Sequence, residues 1–202
     1  GSEATLLCLR IAIAATGRSK ILKFEGAYHG QHPVGIASMI PGRPTELPGS
    51  DPSGTGAPWI DQYVLTAPFN NLAATQSIIQ THASDLAAVI VEPFHRCLTP
   101  ANGFLEGLRE LTRKYGIALI FDEVVTGFRM ALGGAQEYYK VVPDLVAYGK
   151  ALGGGFPIGA FAGRSDLMET VAENRLPGPN YVWSASTTGG NPVSCAAAIA
   201  TL

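Results

Sequence analysis

Ala87-Ala88-Val89-Ile90-Val91 and Ile117-Ala118-Leu119-Ile120-Phe121-Asp122-Glu123 decide the fold. Each begins as a continuous apolar run of strand length, the pattern of a strand buried on both faces. Each also follows a segment of helical character. Asn71 is a good N-cap for a helix reaching about residue 83, and a second helix is expected over residues 103–115 with Gly116 behind it. Two successive units of helix and buried strand predict an α/β fold, a mostly parallel sheet flanked by helices in three layers.

Toward the N-terminus, Leu6, Leu9 and Ile13 recur at helical spacing over residues 4–16, and Gly17 supplies the stop. Residues 20–24 read as a short strand that leaves into the glycine-bounded loop Gly26-Ala27-Tyr28-His29-Gly30. Residues 31–59 are rich in Pro, Gly and Ser without periodicity, and so long a loop in a compact domain is expected to be functional or disordered. Beyond Phe128 the pattern weakens. Short strands are expected near residues 145–147 and 158–162, with Gly153-Gly154-Gly155 between them and a last helix starting near Pro192. No repeat or linker divides the chain, so residues 1–202 read as one domain.

The 202 residues are 47% hydrophobic and 15% charged, with a net charge of -2 and no basic patch that could neutralise a phosphate backbone. Nucleic acid is not expected as a partner. No stretch resembles a secretory signal or a membrane span, which makes the cytoplasm the expected compartment. Cys8, Cys97 and Cys195 stand far apart, and are expected to be reduced and buried. The chain opens without Met and closes inside an Ala-rich segment resembling an unfinished helix, as a piece of something longer would.

In open α/β sheets ligands sit beyond the carboxyl ends of the strands, where Glu92 and Asp122 are expected. Either carboxylate could instead cap the next helix. Lys150 lies between a strand and the three glycines, where missing side chains would let a ligand approach the backbone. A lysine near apolar neighbours can act as a nucleophile toward carbonyls, although a solvated surface role is the commoner one. A nucleotide-binding P-loop is excluded, because Asp144 replaces its opening Gly and Ala151 its Ser or Thr. His29 and His32 lack a third ligand at metal-site spacing, so a polar loop is their expected setting and no metal is expected. Gly1-Ser2 before a helix could hold a phosphate on backbone amides, or could be a cloning scar.

Taken together these residues resemble the class III aminotransferases, of fold type I, and within them the group similar to glutamate-1-semialdehyde aminomutase. The shared motifs are Gly1-Ser2-Glu3-Ala4, Tyr28-His29-Gly30, Val91-Glu92-Pro93, Phe121-Asp122-Glu123-Val124-Val125-Thr126-Gly127-Phe128-Arg129, Gly133-Gly134-Ala135-Gln136 and Pro143-Asp144-Leu145. They continue with Gly149-Lys150-Ala151-Leu152-Gly153-Gly154-Gly155 and Ser186-Thr187-Thr188-Gly189-Gly190-Asn191-Pro192. Each is modest alone. Their order and separation, including 28 residues from Asp122 to Lys150, make the resemblance specific.

The resemblance implies pyridoxal 5'-phosphate (PLP) as cofactor, with an amino donor and a keto acceptor as substrates. It implies that Lys150 forms the imine with the cofactor aldehyde and then carries the substrate proton. Asp122 would keep the ring nitrogen protonated, and Tyr28 and Val124 would pack on its two faces. Gly1 and Ser2 would bind the phosphate, with Thr187 reaching it from a neighbouring subunit, so a homodimer with a shared active site is implied. His29 and Glu92 would support these residues, and Arg129 the loop after Asp122. The family's N-terminal segment and C-terminal small domain would lie outside residues 1–202.

Aminomutases of this type follow Val-Glu-Pro with small residues and a Gly-Asn pair, whereas this chain has Phe94-His95-Arg96-Cys97. That departure favours an intermolecular aminotransferase over an intramolecular aminomutase. A third alternative is a non-catalytic fragment or scaffold retaining the fold, against which Lys150, Asp122 and Tyr28 together argue.

Overall fold

A computed structural model of the chain describes residues 1–40, 46–175, 178 and 180–202. Its elements in chain order begin with α1 (Ser2–Thr16), β1 (Lys20–Phe24), the short α2 (Pro33–Ile36) and β2 (Val64–Ala67). They continue with α3 (Leu72–His82), β3 (Leu86–Val91), α4 (Phe104–Tyr115), β4 (Ala118–Asp122), α5 (Gly134–Tyr139) and β5 (Leu145–Tyr148). The last are β6 (Ala160–Gly163), the short α6 (Ser165–Met168) and α7 (Pro192–Thr201).

The strands form one sheet in the order β2-β1-β3-β4-β5-β6. Every neighbouring pair is parallel except β5 with β6, which is antiparallel at the edge. The two apolar runs, β3 and β4, pair in the middle, Val89 against Leu119 and Val91 against Phe121. Their side chains alternate between two cores, as the two-residue strand period requires. Val89, Val91, Leu119 and Phe121 pack with Ile79, Leu105 and Leu108 of α3 and α4. Ala88, Ile90 and Ile120 pack on the other face with Leu9, Ile11 and Ala12 of α1. Three layers result, and each fully buried Val, Leu, Ile or Phe contributes about 1.5–3 kcal/mol.

Local chemistry sets the element ends. Gly17 takes a left-handed conformation with φ 66° and its N–H bonds the Ile13 carbonyl, stopping α1. The Asn71 side chain accepts from Ala74 N–H to start α3, and Asn191 accepts from Val193 and Ser194 N–H to start α7.

Several expectations change. α1 begins at Ser2, two residues before its apolar period starts. β2 and α5 carry no strong sequence period, being four and six residues long. The loop over residues 31–59 is packed where it is described: Ser38 Oγ lies 3.0 Å from Thr66 Oγ1 of β2 and accepts from Asp51 N–H. Its residues 41–45 lie outside the described residues. The three cysteines are free, but only Cys8 is buried; Cys97 is exposed and Cys195 intermediate. Within the glycine run after Lys150, Gly154 makes room for a helix, since a Cβ there would meet Thr201 Oγ1 of α7 at 2.5 Å, while a Cβ on Gly155 would meet nothing within 4 Å.

Candidate active site

β1 lies between β2 and β3, so the chain leaves its carboxyl end at a topological switch point, where an open α/β sheet has a crevice. Tyr28, His29 and Gly30 follow β1, Glu92 follows β3, Asp122 ends β4 and Lys150 follows β5. All six residues line one cavity of about 390 Å³, together with Gly1, Ser2, Val124 and Arg96. Residues far apart in the chain meet there because every parallel strand points its carboxyl end the same way.

Asp122 is the electrostatic centre. It is 6% exposed, its Oδ2 accepts from His29 Nδ1 at 2.8 Å and its Oδ1 accepts from Val124 N–H at 3.1 Å. The carboxylate holds the proton of His29 on Nδ1, leaving Nε2 as a buried atom with no hydrogen-bond partner among the described residues. Behind it, His95 Nε2 lies 3.0 Å from the Glu25 carbonyl, which can only accept, so Nε2 carries a proton. His95 Nδ1 then faces Glu92 Oε2 at 3.3 Å, a charge contact that lacks hydrogen-bond geometry. Burial alone would raise the Glu92 carboxyl, but the imidazoles of His95 and His29 and the Arg96 guanidinium outweigh it and leave the group below its ordinary value.

The other end of the cavity is the N-terminus of α1, whose first amides have no carbonyl within the helix to bond. Thr5 N–H is the first to turn back, to Gly1 O at 3.0 Å. Backbone closes around this end: Gly30 has φ 111°, and a Cβ there would stand 2.6 Å from Ser2 Cα. Gly149 and Gly159 approach Gly1 N within 3.5 Å and 3.2 Å of their own ideal Cβ positions. Such a cradle of amides at a fifteen-residue helix suits a phosphate. Ser2 Oγ accepts from Gln31 N–H at 3.0 Å, so its own proton is free for an anion.

Tyr28 is half-buried and its hydroxyl accepts from Gln31 Nε2 at 3.0 Å, while Val124 is buried against Gly1. Lys150 is exposed and has φ 42°, an uncommon conformation for a residue with a side chain. Thr187 is exposed and lines neither this cavity nor a larger one of about 620 Å³ between α1 and residues 183–195. Arg129 donates from Nη1 to Val125 O at 3.3 Å, within the loop it was expected to support.

His29 and His32 do lie in a loop with polar partners, but a buried one: they are 1% and 7% exposed. His32 Nδ1 accepts from Gly35 N–H, capping α2, and its Nε2 lies 3.0 Å from the His29 carbonyl. Burial, with His29 beside it, pulls the His32 imidazole down to about 4. No cluster of three or more metal-ligating side chains occurs among the described residues. Two residues have structural roles that the motifs did not assign. Lys23 of β1 is fully buried and its Nζ faces the carbonyls of Ala27, Val34, Gly35 and Ala37 at 2.5–3.2 Å, tying down the loop that carries Tyr28 and His29. A lysine inside an apolar strand was the available signal. Glu123 is also fully buried, and accepts from Thr126 Oγ1 and the N–H groups of Ala135 and Gln136.

A buried carboxylate–imidazole pair shares its cavity with a lysine and an amide cradle at a sheet switch point, an arrangement in keeping with an enzyme of the PLP-dependent transferase fold. Residues 1–202 match the family described as "Aminotransferase class-III", and the chain belongs to that family. A glutamate-1-semialdehyde 2,1-aminomutase from Methanothermobacter thermautotrophicus is 47% identical over all of this chain and 47% of its own length. An omega-transaminase from Sphaerobacter thermophilus superposes with a TM-score of 0.92 at 39% identity, over all of this chain and 47% of that one. A structure described as "Transaminase with PLP bound" superposes at 0.88 with 30% identity, again over all of this chain and 47% of that one. The chain thus spans about half the length of the relatives it matches. The family's cofactor is pyridoxal 5'-phosphate.

Proposed function

We propose that this chain is the cofactor-holding large domain, in part, of an aminotransferase that moves an amino group between an amino compound and a keto acid or aldehyde in a ping-pong cycle. The observation that carries this reading is the convergence of Lys150, Asp122, His29, Tyr28 and the α1 terminus on one cavity. When bound, PLP supplies an aldehyde that joins amines and a ring that takes up electrons. Lys150 would hold the cofactor through Nζ, and the same amine would serve as general base and acid for the substrate proton. Asp122 would hold a proton at the ring nitrogen, its carboxylate oriented by His29 and the Val124 amide. Tyr28 and Val124 flank the ring by dispersion and aromatic contact, and Glu92 supports them from behind. Gly1 and Ser2 receive the phosphate, and Thr187 of a second subunit completes it. Three free cysteines accord with a cytoplasmic setting.

A second reading, intramolecular amino transfer, is favoured by the aminomutase among the relatives. Sustained turnover that requires a separate keto acid excludes it. The central assignment is tested on the full-length protein, which is expected to be yellow. Borohydride reduction followed by peptide mapping should find the cofactor on Lys150; cofactor trapped on Lys140 or any other lysine overturns the proposal.

A further inference from the structure

Beyond β3 the chain runs Glu92-Pro93-Phe94 and then folds into a minimal hairpin. His95 N–H bonds Leu98 O at 3.0 Å, Leu98 N–H bonds His95 O at 2.8 Å, and Arg96-Cys97 is the two-residue tip. Arg96 takes φ 58° at the first central position, a place where glycine is preferred and a Cβ is a strain. The turn would therefore form more readily with glycine, and a residue held there against its preference is a candidate for a role in the site.

The side chain has the geometry for one. Arg96 Nε donates to Gly26 O at 2.9 Å, which pins the stem beside the loop carrying Tyr28. That bond leaves the two terminal nitrogens of the guanidinium without a protein acceptor among the described residues, and the side chain lines the cavity of Lys150, Asp122 and Tyr28. Among the described residues lining it, Arg96 and Lys150 are the only ones with Lys or Arg side chains. The two acids present already face partners, Asp122 on His29 and Glu92 on His95. Once Lys150 is engaged with a cofactor, Arg96 is the cation among the described residues of this cavity left to face a substrate. Its terminal nitrogen pair forms a planar fork matched to a carboxylate.

From this we infer that Arg96 is the specificity-determining residue that recognises a carboxylate on the amino substrate. The inference rests on the function proposed above. An Arg96 that only held the turn would make no distinction between substrates with and without a carboxylate.

The test uses full-length holoenzyme, with absorbance and Lys150 attachment measured first. Donor pairs of matched length, 4-aminobutyrate with 1-aminobutane and 5-aminopentanoate with 1-aminopentane, are then compared. Calorimetric binding of unreactive butyrate and pentanoate, against their amides, gives a readout independent of turnover. Arg96→Gln should weaken carboxylate binding and raise KM for the carboxylate-bearing donors about 10- to 100-fold, the range of a lost charge-assisted hydrogen bond. Amines without a carboxylate should change less than about twofold, and Arg96→Lys should recover part of the loss. Arg96→Gly, which suits the turn but has no fork, should lose the same discrimination. Wild type without a preference for carboxylates, or an Arg96→Gln protein that keeps the preference or loses both donor classes equally, overturns the inference alone. Absence of cofactor on Lys150 in wild type overturns the proposed function and the inference with it.

Discussion

His32 and Lys23 show how single buried groups hold the loop that carries Tyr28 and His29. Burial draws the Lys23 amine down to about 7, against four carbonyls whose oxygens favour the ammonium. For His32 the cost falls on the acid side. Its native imidazole titrates near 4 and an unfolded one near 6.5, so between these values the unfolded chain binds more protons. Stability is therefore unaffected by His32 above about pH 6.5 and is lost as pH falls toward 4, by about 3 kcal/mol in all. Denaturant unfolding across that window should show the loss, and His32→Asn, which keeps an N-cap acceptor without a titrating ring, should flatten it. An unchanged pH profile in His32→Asn would show that the imidazole is not the group responsible.

At the scale of elements, Glu123 joins the end of β4 to the start of α5. Its carboxylate serves Thr126 Oγ1, Ala135 N–H and Gln136 N–H, and a Cβ on Gly134 would stand 2.3 Å from its Oε2. Glu123→Ala leaves those donors without their charged acceptor and is expected to destabilise the protein by about 3 kcal/mol. Urea unfolding of the full-length protein measures this, and a loss below about 1 kcal/mol would mean that solvent replaces the carboxylate. The sheet centre was legible in the chain because β3 and β4 are unbroken apolar runs, and their carboxyl ends located Glu92 and Asp122. β2 and α5 were not, because elements so short have no room for a period and are held by neighbours: β2 by its pairing with β1, α5 by Glu123. Sequence patterns placed Tyr28, Asp122 and Lys150 through family motifs. They could not show that Lys23 lies inside, or that Gly154 faces α7, since both depend on packing between distant segments.

On the scale of the whole molecule, the α1 cradle offers amides and one serine hydroxyl, while Thr187 of the same chain is exposed and lines no part of that cavity. The reading of a shared site gives a test by complementation. Mixed dimers of Lys150→Ala and Thr187→Ala subunits contain one site with both residues, and that site should bind cofactor as tightly as wild type. If it binds as weakly as the Thr187→Ala homodimer, Thr187 serves its own subunit. The strand order has a different consequence, for the time course of folding. Apart from the antiparallel edge, each pairing in the sheet joins strands separated by a long crossover, so few local contacts can form first and the chain must close large loops before they are rewarded. The cavity draws residues from behind β1, β3, β4 and β5, and it exists only when all of these crossovers have closed. Cofactor capture is then expected late in the assembly, after these crossovers have closed.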